Sequence, residues 1–297
     1  MSEHTVEQEP REHRVIIILA DISGYTRFMV ENHLSAVHGQ MVITHLLESL
    51  LREVDIPLEL QEIEGDAIFL FATRPNDEVE WEKVLKQVQT KLLRFFEVFI
   101  QAAAGLAEMT ACKCAICTHA DELKLKIVAH TGCAVFHSIA GRRQVSGADV
   151  ILAHRLLKNS VPDTEYLLLS DAAYQEIGRG LGLEFHAGQE FYENLGTVQV
   201  HVHYLTDRVE QARDTFYALE PEQEKAAIRE YMREGSRSFM PVAWDELTSP
   251  TSNASWPRRV LFIVGWIFYL PIFKFRYPRQ VARHLEQKRA LRSRAEA

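Results

Sequence analysis

The sequence predicts an α+β fold, in which helices pack on a mostly antiparallel sheet, and three observations lead to this prediction. Short apolar runs rich in β-branched residues, typical of buried strands, recur over the first two thirds of the chain. Two long segments between these runs carry apolar residues at the spacing of a helix. The Gly-Asp pair at 65–66 lies between two of the runs, which predicts the turn of an antiparallel hairpin.

The predicted elements follow one another in the order β-α-β-β-α-β-α-β-α-β, in which the neighbouring strands at 123–128 and 133–136 count as one β. The first strand, residues 15–20, is apolar at every position, which indicates burial on both faces. The helix at 34–54 repeats apolar residues every three to five positions, and the helix at 78–101 has a broader apolar face. Ser170-Asp171 is a good cap for a short helix at 172–177. The other strands are predicted at 58–60, 67–72, 123–128, 133–136, 166–169 and 197–205, and one more helix at 149–158.

The length of 297 residues allows one large domain followed by an extension. Residues 1–12 are polar, without the apolar stretch of a secretory signal, and are predicted to be a disordered lead-in. We expect the α+β domain over 13–205, a helical and loop extension over 206–257, and an apolar segment with a basic tail over 258–297. A formal net charge of −8 gives no indication of a nucleic-acid partner. Without an export signal, we expect a cytoplasmic protein with reduced cysteines.

The C-terminal part of the chain combines an apolar segment with a basic one. Residues 260–273 carry no charged side chain, and from Lys274 to the end eight Lys or Arg stand against two Glu. As a helix the apolar segment would be about 21 Å long, short of a bilayer core of about 30 Å. Two interpretations stay open. The segment inserts shallowly into an anionic membrane surface, with the protein peripheral at the inner face, or it is a buried helix followed by a solvated arm.

Two aspartates stand where a pair of carboxylates can meet. Asp21 follows the first buried strand, and Asp66 lies at the tip of the predicted hairpin. Two carboxylates held in this way can bridge two hard cations, which bind triphosphate oxygens and lower the pKa of an attacking hydroxyl. The alternative for either residue alone is that it caps a turn.

Four motifs in order resemble the class III adenylate and guanylate cyclases over about two thirds of the chain. LADISGYT at 19–26 resembles their first metal motif, and EIEGDA at 62–67 resembles the second. VAHTGCAVFHSIAG at 128–141 is similar to the strand-turn-strand that follows, and SGADVILAHRL at 146–156 to the helix with the transition-state arginine. The exact residues of these motifs most resemble an uncharacterised bacterial cyclase-like family, a domain of unknown function. The resemblance implies a ferredoxin-like, cyclase-type sandwich with a C-terminal helical extension.

The resemblance also implies roles for individual residues. Asp21, Asp66 and the backbone of Ile22 would bind two Mg²⁺ or Mn²⁺ ions, and Arg155 would stabilise charge on the reacting phosphate. A surface ion pair is the alternative for Arg155. Because the aspartates and the arginine act from different subunits in this family, the resemblance implies a homodimer. The turn that would hold metal and phosphate comprises Ser23, Gly24, Tyr25 and Thr26.

Other positions depart from the family pattern. Ile151 stands where active cyclases carry a ribose-orienting Asn, and Leu195 where they carry a triphosphate-binding Lys. Glu62, at the purine-selecting position, resembles guanylate cyclases, whereas Gln144 at the second base position fits neither purine pattern. The sequence therefore predicts a metal-dependent nucleotidyl cyclase that converts a nucleoside triphosphate to a cyclic nucleotide and pyrophosphate. The alternative is an inactive cyclase-fold module that binds nucleotide or metal and signals, attached to a membrane or not.

A cysteine cluster forms a second candidate metal site. The spacing of three cysteines would allow tetrahedral Zn²⁺ binding in a structural role: Cys112, Cys114 and Cys117. The fourth ligand would be His119 or Cys133. The alternatives are a set of small buried residues or redox-sensing thiols.

Overall fold

The structure is a computed structural model that describes residues 11–31, 36–109 and 120–205, with further positions at 218, 220, 222–223, 225–229, 233, 278–279, 281–283, 285–287 and 290. These residues fall into two compact units. The first unit contains residues 1–25, 49–99 and 123–207, and the second contains 26–48, 100–122 and 208–297. Each unit is described by itself.

Among the described residues eight strands form one sheet in the first unit. The strands are β1 Arg11–Ser23, β2 Glu59–Glu64, β3 Ala67–Thr73, β4 Lys124–Ile139, β5 Arg142–Ser146, β6 Tyr166–Ser170, β7 His186–Tyr192 and β8 Gly196–Tyr204. The helices are α1 Tyr25–Glu31, α2 Ala36–Leu51, α3 Glu78–Met109, α4 Ala148–Leu156 and α5 Asp171–Glu176, with short 3₁₀ turns at Ala120–Glu122 and Gly178–Leu181.

The strand order is β2-β3-β1-β4-β6-β8-β7, and β5 folds back on β4 as a hairpin. Only the β4–β6 pair is parallel in this described sheet, because α4 crosses between the two strands; all other pairs are antiparallel. The α+β prediction with a mostly antiparallel sheet and helices packed on it is therefore confirmed.

The strand β1 lies at the centre of the sheet, between β3 and β4. Its residues Val15 to Ala20 are at most 2% exposed, which confirms the prediction that this apolar run is buried on both faces. The odd-numbered residues of β1 pack in a core that includes Val150, Ala153 and Leu156 of α4. Asp21 continues this alternation, so it lies on the face of the sheet that α4 covers.

Several element predictions are corrected by the structure. The strands predicted at 123–128 and 133–136 are one continuous strand, β4, and the turn lies later, at Ala140 and Gly141, which both have positive φ. Gly132, in the motif that resembles a strand-turn-strand, stays in the strand and leaves room for the Asp149 side chain of α4. β5, β7 and α1 were not predicted, because β5 and β7 are polar and α1 is only seven residues long. The strand β1 begins at Arg11, inside the predicted lead-in, because residues 11–14 pair with β4.

The second unit contains most of α1 and α2, the end of α3 and the described C-terminal positions. Its buried side chains include Ile43 and Leu46 of α2 and Ala104 of α3, and Arg27 forms an ion pair with Glu122 at 3.2 Å. In the described part of the chain no helix has both the length and the apolar character to cross a membrane. The apolar segment 260–273 lies outside the described residues, as does nearly all of the predicted 206–257 extension and of the basic tail. The predicted domain boundaries and the membrane association stay predictions.

Candidate active site

Asp21 is placed by the register of the central strands. It pairs laterally with Ala67 of β3 on one side and with Lys126 of β4 on the other. Because lateral neighbours in a sheet point to the same face, the Lys126 ammonium reaches Asp21 and donates to its Oδ2 at 2.8 Å. The two side chains are only 22% and 15% exposed, so this ion pair is largely shielded from water.

Asp66 follows Gly65 in the turn between β2 and β3, and the positive φ of 67° at Gly65 explains a glycine there. The turn is held against the end of β1 because the Ile22 N–H donates to the Asp66 carbonyl oxygen at 3.2 Å. Burial, followed by the negative charge of Asp21, raises the pKa of Asp66 from its ordinary value of 3.8 to about 6. The positive charge of Lys126 opposes this increase. The charge of Asp21 therefore acts on the carboxyl group of Asp66.

The chemistry of these donors fits a divalent cation. The Asp21 and Asp66 carboxylates are hard oxygen ligands, the type that Mg²⁺ and Mn²⁺ prefer, and a cation would offset the effect of the Asp21 charge on Asp66. Within the described ranges no group of three or more His, Cys, Asp or Glu is arranged to hold a metal. A cation at this pair would therefore need further oxygen ligands, such as the Ile22 carbonyl, water or phosphate.

The turn after Asp21 continues from β1 into α1. Ser23 ends the strand, Gly24 has φ of 89°, a backbone conformation that glycine adopts without strain, and Tyr25 begins α1. Ser23 and Tyr25 are half-buried and Gly24 is exposed. Thr26, the last residue of the predicted phosphate-holding turn, belongs to the second unit, so its place relative to Asp21 is not described.

The two predicted base-contact positions lie on segments that touch. Glu62 lies on β2 and is exposed, and Gln144 lies on β5 and is half-buried. Their neighbours are hydrogen-bonded, because the Gln61 side chain donates to the Arg143 carbonyl oxygen at 3.2 Å. Arg143 also forms an ion pair with Glu59 of β2 at 2.8 Å. β2 and β5 are therefore close together although neither pairs with the other in the sheet.

Arg155 lies on the exposed side of α4, whose opposite side is buried in the core. Arg155 forms no ion pair with a carboxylate of the described residues, and both its catalytic role and the alternative of a surface ion pair stay predictions. On the same helix Ile151 is 56% exposed, which is unusual for a large apolar side chain. Leu195 lies in the tight turn between β7 and β8, where its N–H donates to the Tyr192 carbonyl oxygen at 3.1 Å.

The predicted zinc ligands lie outside the described residues: Cys112, Cys114, Cys117 and His119. Cys133 is described, and it is an exposed free thiol on β4. The zinc site stays a prediction.

Two residues of this region were missed by the sequence reasoning. Lys126 contacts Asp21 directly, and Tyr166 of β6 is the next residue in the same lateral row, opposite Lys126. The signal was present as polar residues at alternate positions 124 and 126 in an otherwise apolar strand. The sequence does not contain the register that aligns this strand with Asp21.

Comparison with known sequences gives one family and one curated relative. Residues 43–166, less than half of the chain, match a family described as "protein of unknown function (DUF2652)". An uncharacterised protein of Mycobacterium tuberculosis (strain ATCC 25618 / H37Rv), Rv2561/Rv2562, is 32% identical over 133 residues, which is 45% of this chain and 59% of that protein. The match thus spans about three fifths of the length of this curated relative.

Comparison with solved structures gives nucleotide cyclases. The adenylyl cyclase CyaB from P. aeruginosa has a TM-score of 0.51 at 15% identity, over 68% of this chain and 98% of that chain. The guanylyl cyclase Cya2 has a TM-score of 0.47 at 14% identity, over 66% and 93%, a similarity too low to add to the argument. The resemblance predicted from the four motifs is confirmed at the level of the fold. The fold of this chain is that of the catalytic domain of class III adenylyl and guanylyl cyclases.

Proposed function

We propose that this protein is a metal-dependent nucleotidyl cyclase that converts a purine nucleoside triphosphate to a cyclic nucleotide and pyrophosphate. In this reaction the ribose 3′-oxygen attacks the α-phosphorus and loses its proton to solvent. The bond between the α-phosphorus and its bridging oxygen breaks, and pyrophosphate leaves. Bound at Asp21 and Asp66 with the Ile22 carbonyl, Mg²⁺ or Mn²⁺ would supply Lewis-acid stabilisation of the phosphate oxygens and a lower pKa for the attacking hydroxyl.

The observation that carries this proposal is the paired state of Asp21 and Asp66. Burial, and after it the negative charge of Asp21, raises the pKa of Asp66 to about 6, so an ionised Asp66 beside Asp21 contributes unfavourable energy to a protein without a cation. Lys126 neutralises only part of this charge. A pair kept at this cost, on a cyclase fold and at the end of the central strand, supports cation-assisted phosphate chemistry.

Two basic residues of this chain, Lys126 and Arg155, would bind the phosphate groups in the proposed reaction. With Asp21 holding a cation, the Lys126 ammonium, which lies 2.8 Å from Asp21 Oδ2, would be available to donate to a triphosphate oxygen. Arg155, exposed and without a described partner, stabilises the negative charge that develops on the α-phosphate. It would do so in a homodimer, with Arg155 from one subunit and the aspartates from the other, as the family resemblance implies.

The base preference follows from Glu62. A carboxylate exposed on β2 can accept hydrogen bonds from the N1 and N2 groups of guanine, whereas it has nothing to donate to adenine. Gln144, on the adjacent β5, has both donor and acceptor atoms and can face either purine. GTP is therefore the first substrate to test.

One observation favours a second candidate function. At 56% exposure the Ile151 side chain offers no hydrogen bond to a ribose, and Leu195 offers no charge to a phosphate. A protein with the aspartate pair but without these polar groups would bind nucleotide and metal as a signalling module without turnover.

The experiment that tests the proposal incubates the purified full chain with Mn²⁺ and ATP, GTP, CTP or UTP in turn and measures cyclic product and pyrophosphate. Asp21→Asn removes one metal carboxylate at nearly unchanged size. Asp163→Asn is the matched control, because its side-chain oxygen can still accept from the Thr164 N–H. Product that is lost in Asp21→Asn and kept in Asp163→Asn supports a cyclase. Nucleotide binding without product from any of the four supports the signalling module instead.

A further inference from the structure

α4 needs outside support because it is a short helix. It has nine residues, and a helix of this length is not stable by itself in water. Its N-cap residue is Gly147, which has no side chain to accept a hydrogen bond from the first turn. The orientation of the helix, and with it the place of Arg155, therefore depends on contacts with the sheet.

The first contact fixes the beginning of α4 to β4, and we name it the N-terminal anchor: Asp149 with Cys133 and His130. Asp149 Oδ2 accepts from the Cys133 N–H at 2.6 Å, and its Oδ1 lies 3.3 Å from His130 Nε2. Among the described residues that nitrogen has no hydrogen bond of good geometry, and Asp149 is the carboxylate within ion-pair distance of it. Gly132 makes the approach possible, since a Cβ there would lie 2.2 Å from Asp149 Oδ2.

His130 is itself held in place. It is 5% exposed, and its Nδ1 lies 2.7 Å from the hydroxyl of Ser170, which also caps α5 by accepting from the Ala173 N–H at 3.2 Å. Burial lowers the pKa of His130, and the hydrogen bond and charge of Asp149 oppose this decrease. The N-terminal anchor thus joins α4 to both β4 and the end of β6.

The second contact fixes the end of α4, and we name it the C-terminal anchor: Asn159 with Leu156 and Tyr166. Asn159 Nδ2 donates to the Leu156 carbonyl oxygen at 2.7 Å, at the last residue of the helix. The Tyr166 hydroxyl lies 2.8 Å from Nδ2 and 3.0 Å from Oδ1 of the same amide. Oδ1 also accepts from the Val161 N–H at 2.9 Å, so the amide is fully engaged.

Tyr166 connects this anchor to the aspartate site. It stands opposite Lys126 in the parallel β4–β6 pair, and Lys126 stands opposite Asp21. The end of α4 is thus tied to the same lateral row of the sheet that presents Asp21.

We propose that Asp149, Asn159 and Tyr166 are positioning residues for Arg155, because the two anchors fix both ends of α4 on the sheet. The catalytic part of this inference rests on the proposed cyclase function, whereas the anchoring of α4 does not.

Hydrogen exchange of the full-length protein, followed on peptides from 147–158, tests the anchoring without any need for activity. Tyr166→Phe removes one hydroxyl from the C-terminal anchor, and Asp149→Ala removes the N-terminal anchor. We expect exchange in α4 to become about fivefold faster in each, with β1 unchanged as a check on global unfolding. Asp149→Asn, which keeps an oxygen for the Cys133 N–H, should restore part of the protection.

The matched control is Tyr192→Phe, since the buried Tyr192 hydroxyl has no hydrogen-bond partner among the described residues. It should leave exchange in α4 as in the wild type. Unchanged exchange in both anchor variants would overturn the proposal.

A double-mutant cycle on kcat tests whether the anchors act through Arg155. We expect Tyr166→Phe to lower kcat about fivefold with KM unchanged, and to have no further effect in an Arg155→Ala background. Multiplicative losses in the double variant would overturn the positioning role. A wild type that binds nucleotide but makes no product defeats the proposed cyclase activity, and the exchange result then decides the anchoring alone.

Discussion

Replacing Asp66 by Asn should make the metal-free protein more stable at neutral pH. The pKa of Asp66 is about 6 in the folded protein against 3.8 ordinarily, so folding raises it. The folded state then binds the proton more tightly than the unfolded chain, and ionisation between about pH 4 and pH 6 lowers the free energy of unfolding. The loss of unfolding free energy caused by ionised Asp66 is absent below about pH 4 and reaches its full size above about pH 6.

The magnitude follows from the same change in pKa. Without solvent screening, the change in the pKa of Asp66 corresponds to a loss of about 3 kcal/mol in the free energy of unfolding at pH 7.5. Because Asp66 is partly open to water, solvent screening reduces this value, and we expect about 1–2 kcal/mol. Asn has nearly the same volume, so packing at the hairpin turn is preserved.

Urea unfolding at pH 7.5 and at pH 4, with a chelator present, measures this difference. Asp66→Asn should unfold at higher urea than the wild type at pH 7.5 and at nearly the same urea at pH 4, while Asp163→Asn serves as the control. Excess Mn²⁺ should stabilise the wild type and not the variant. A variant less stable than the wild type at pH 7.5 would refute the electrostatic reasoning.

Three further predictions concern single contacts. Lys126→Met removes the ammonium that competes for Asp21 and should raise the Mn²⁺ affinity of the nucleotide-free protein several-fold by calorimetry; a lower affinity would contradict the competition. Gly132→Ala should lower the free energy of unfolding by about 1–3 kcal/mol, because its Cβ would overlap Asp149, whereas Gly188→Ala, whose Cβ would lie 3.4 Å from Val200, should cost much less. Ser170→Ala removes the α5 cap and the partner of His130 and should cost about 1–2 kcal/mol in urea unfolding, so a neutral result would contradict the role of this hydroxyl.

Local patterns were sufficient for the parts of the molecule that depend on short-range chemistry. The continuous apolar run at 15–20 could only be a doubly buried strand, and the Ser170 cap was confirmed because capping depends on residues three positions apart. The two aspartates were identified from their positions at strand ends. These features need no knowledge of which strands are neighbours.

The remaining features depend on contacts between residues far apart in the sequence. The β4 region was predicted as two strands, whereas Gly132 lies within one continuous strand and makes room for Asp149, seventeen positions later. Lys126 became visible as a partner of Asp21 only through the β1–β4 register. β5 and β7 are polar strands at the margins of the sheet, where alternation is weak and composition resembles a loop.

Some residues of this chain match the cyclase motifs and others depart from them. The positions of the two groups indicate where this chain differs from the cyclases whose fold it shares. Asp66 is present although burial and the charge of Asp21 make its ionisation unfavourable, and a chain without a cation to bind would gain stability by replacing this carboxylate. The exposed side of α4, in contrast, carries Ile151 at no structural gain, since the side chain is 56% exposed. Yet α4 itself is anchored at both ends, which a helix without a task does not require. On the proposed cyclase function, we expect this chain to differ from those cyclases at the exposed side of α4 and not at the aspartate pair.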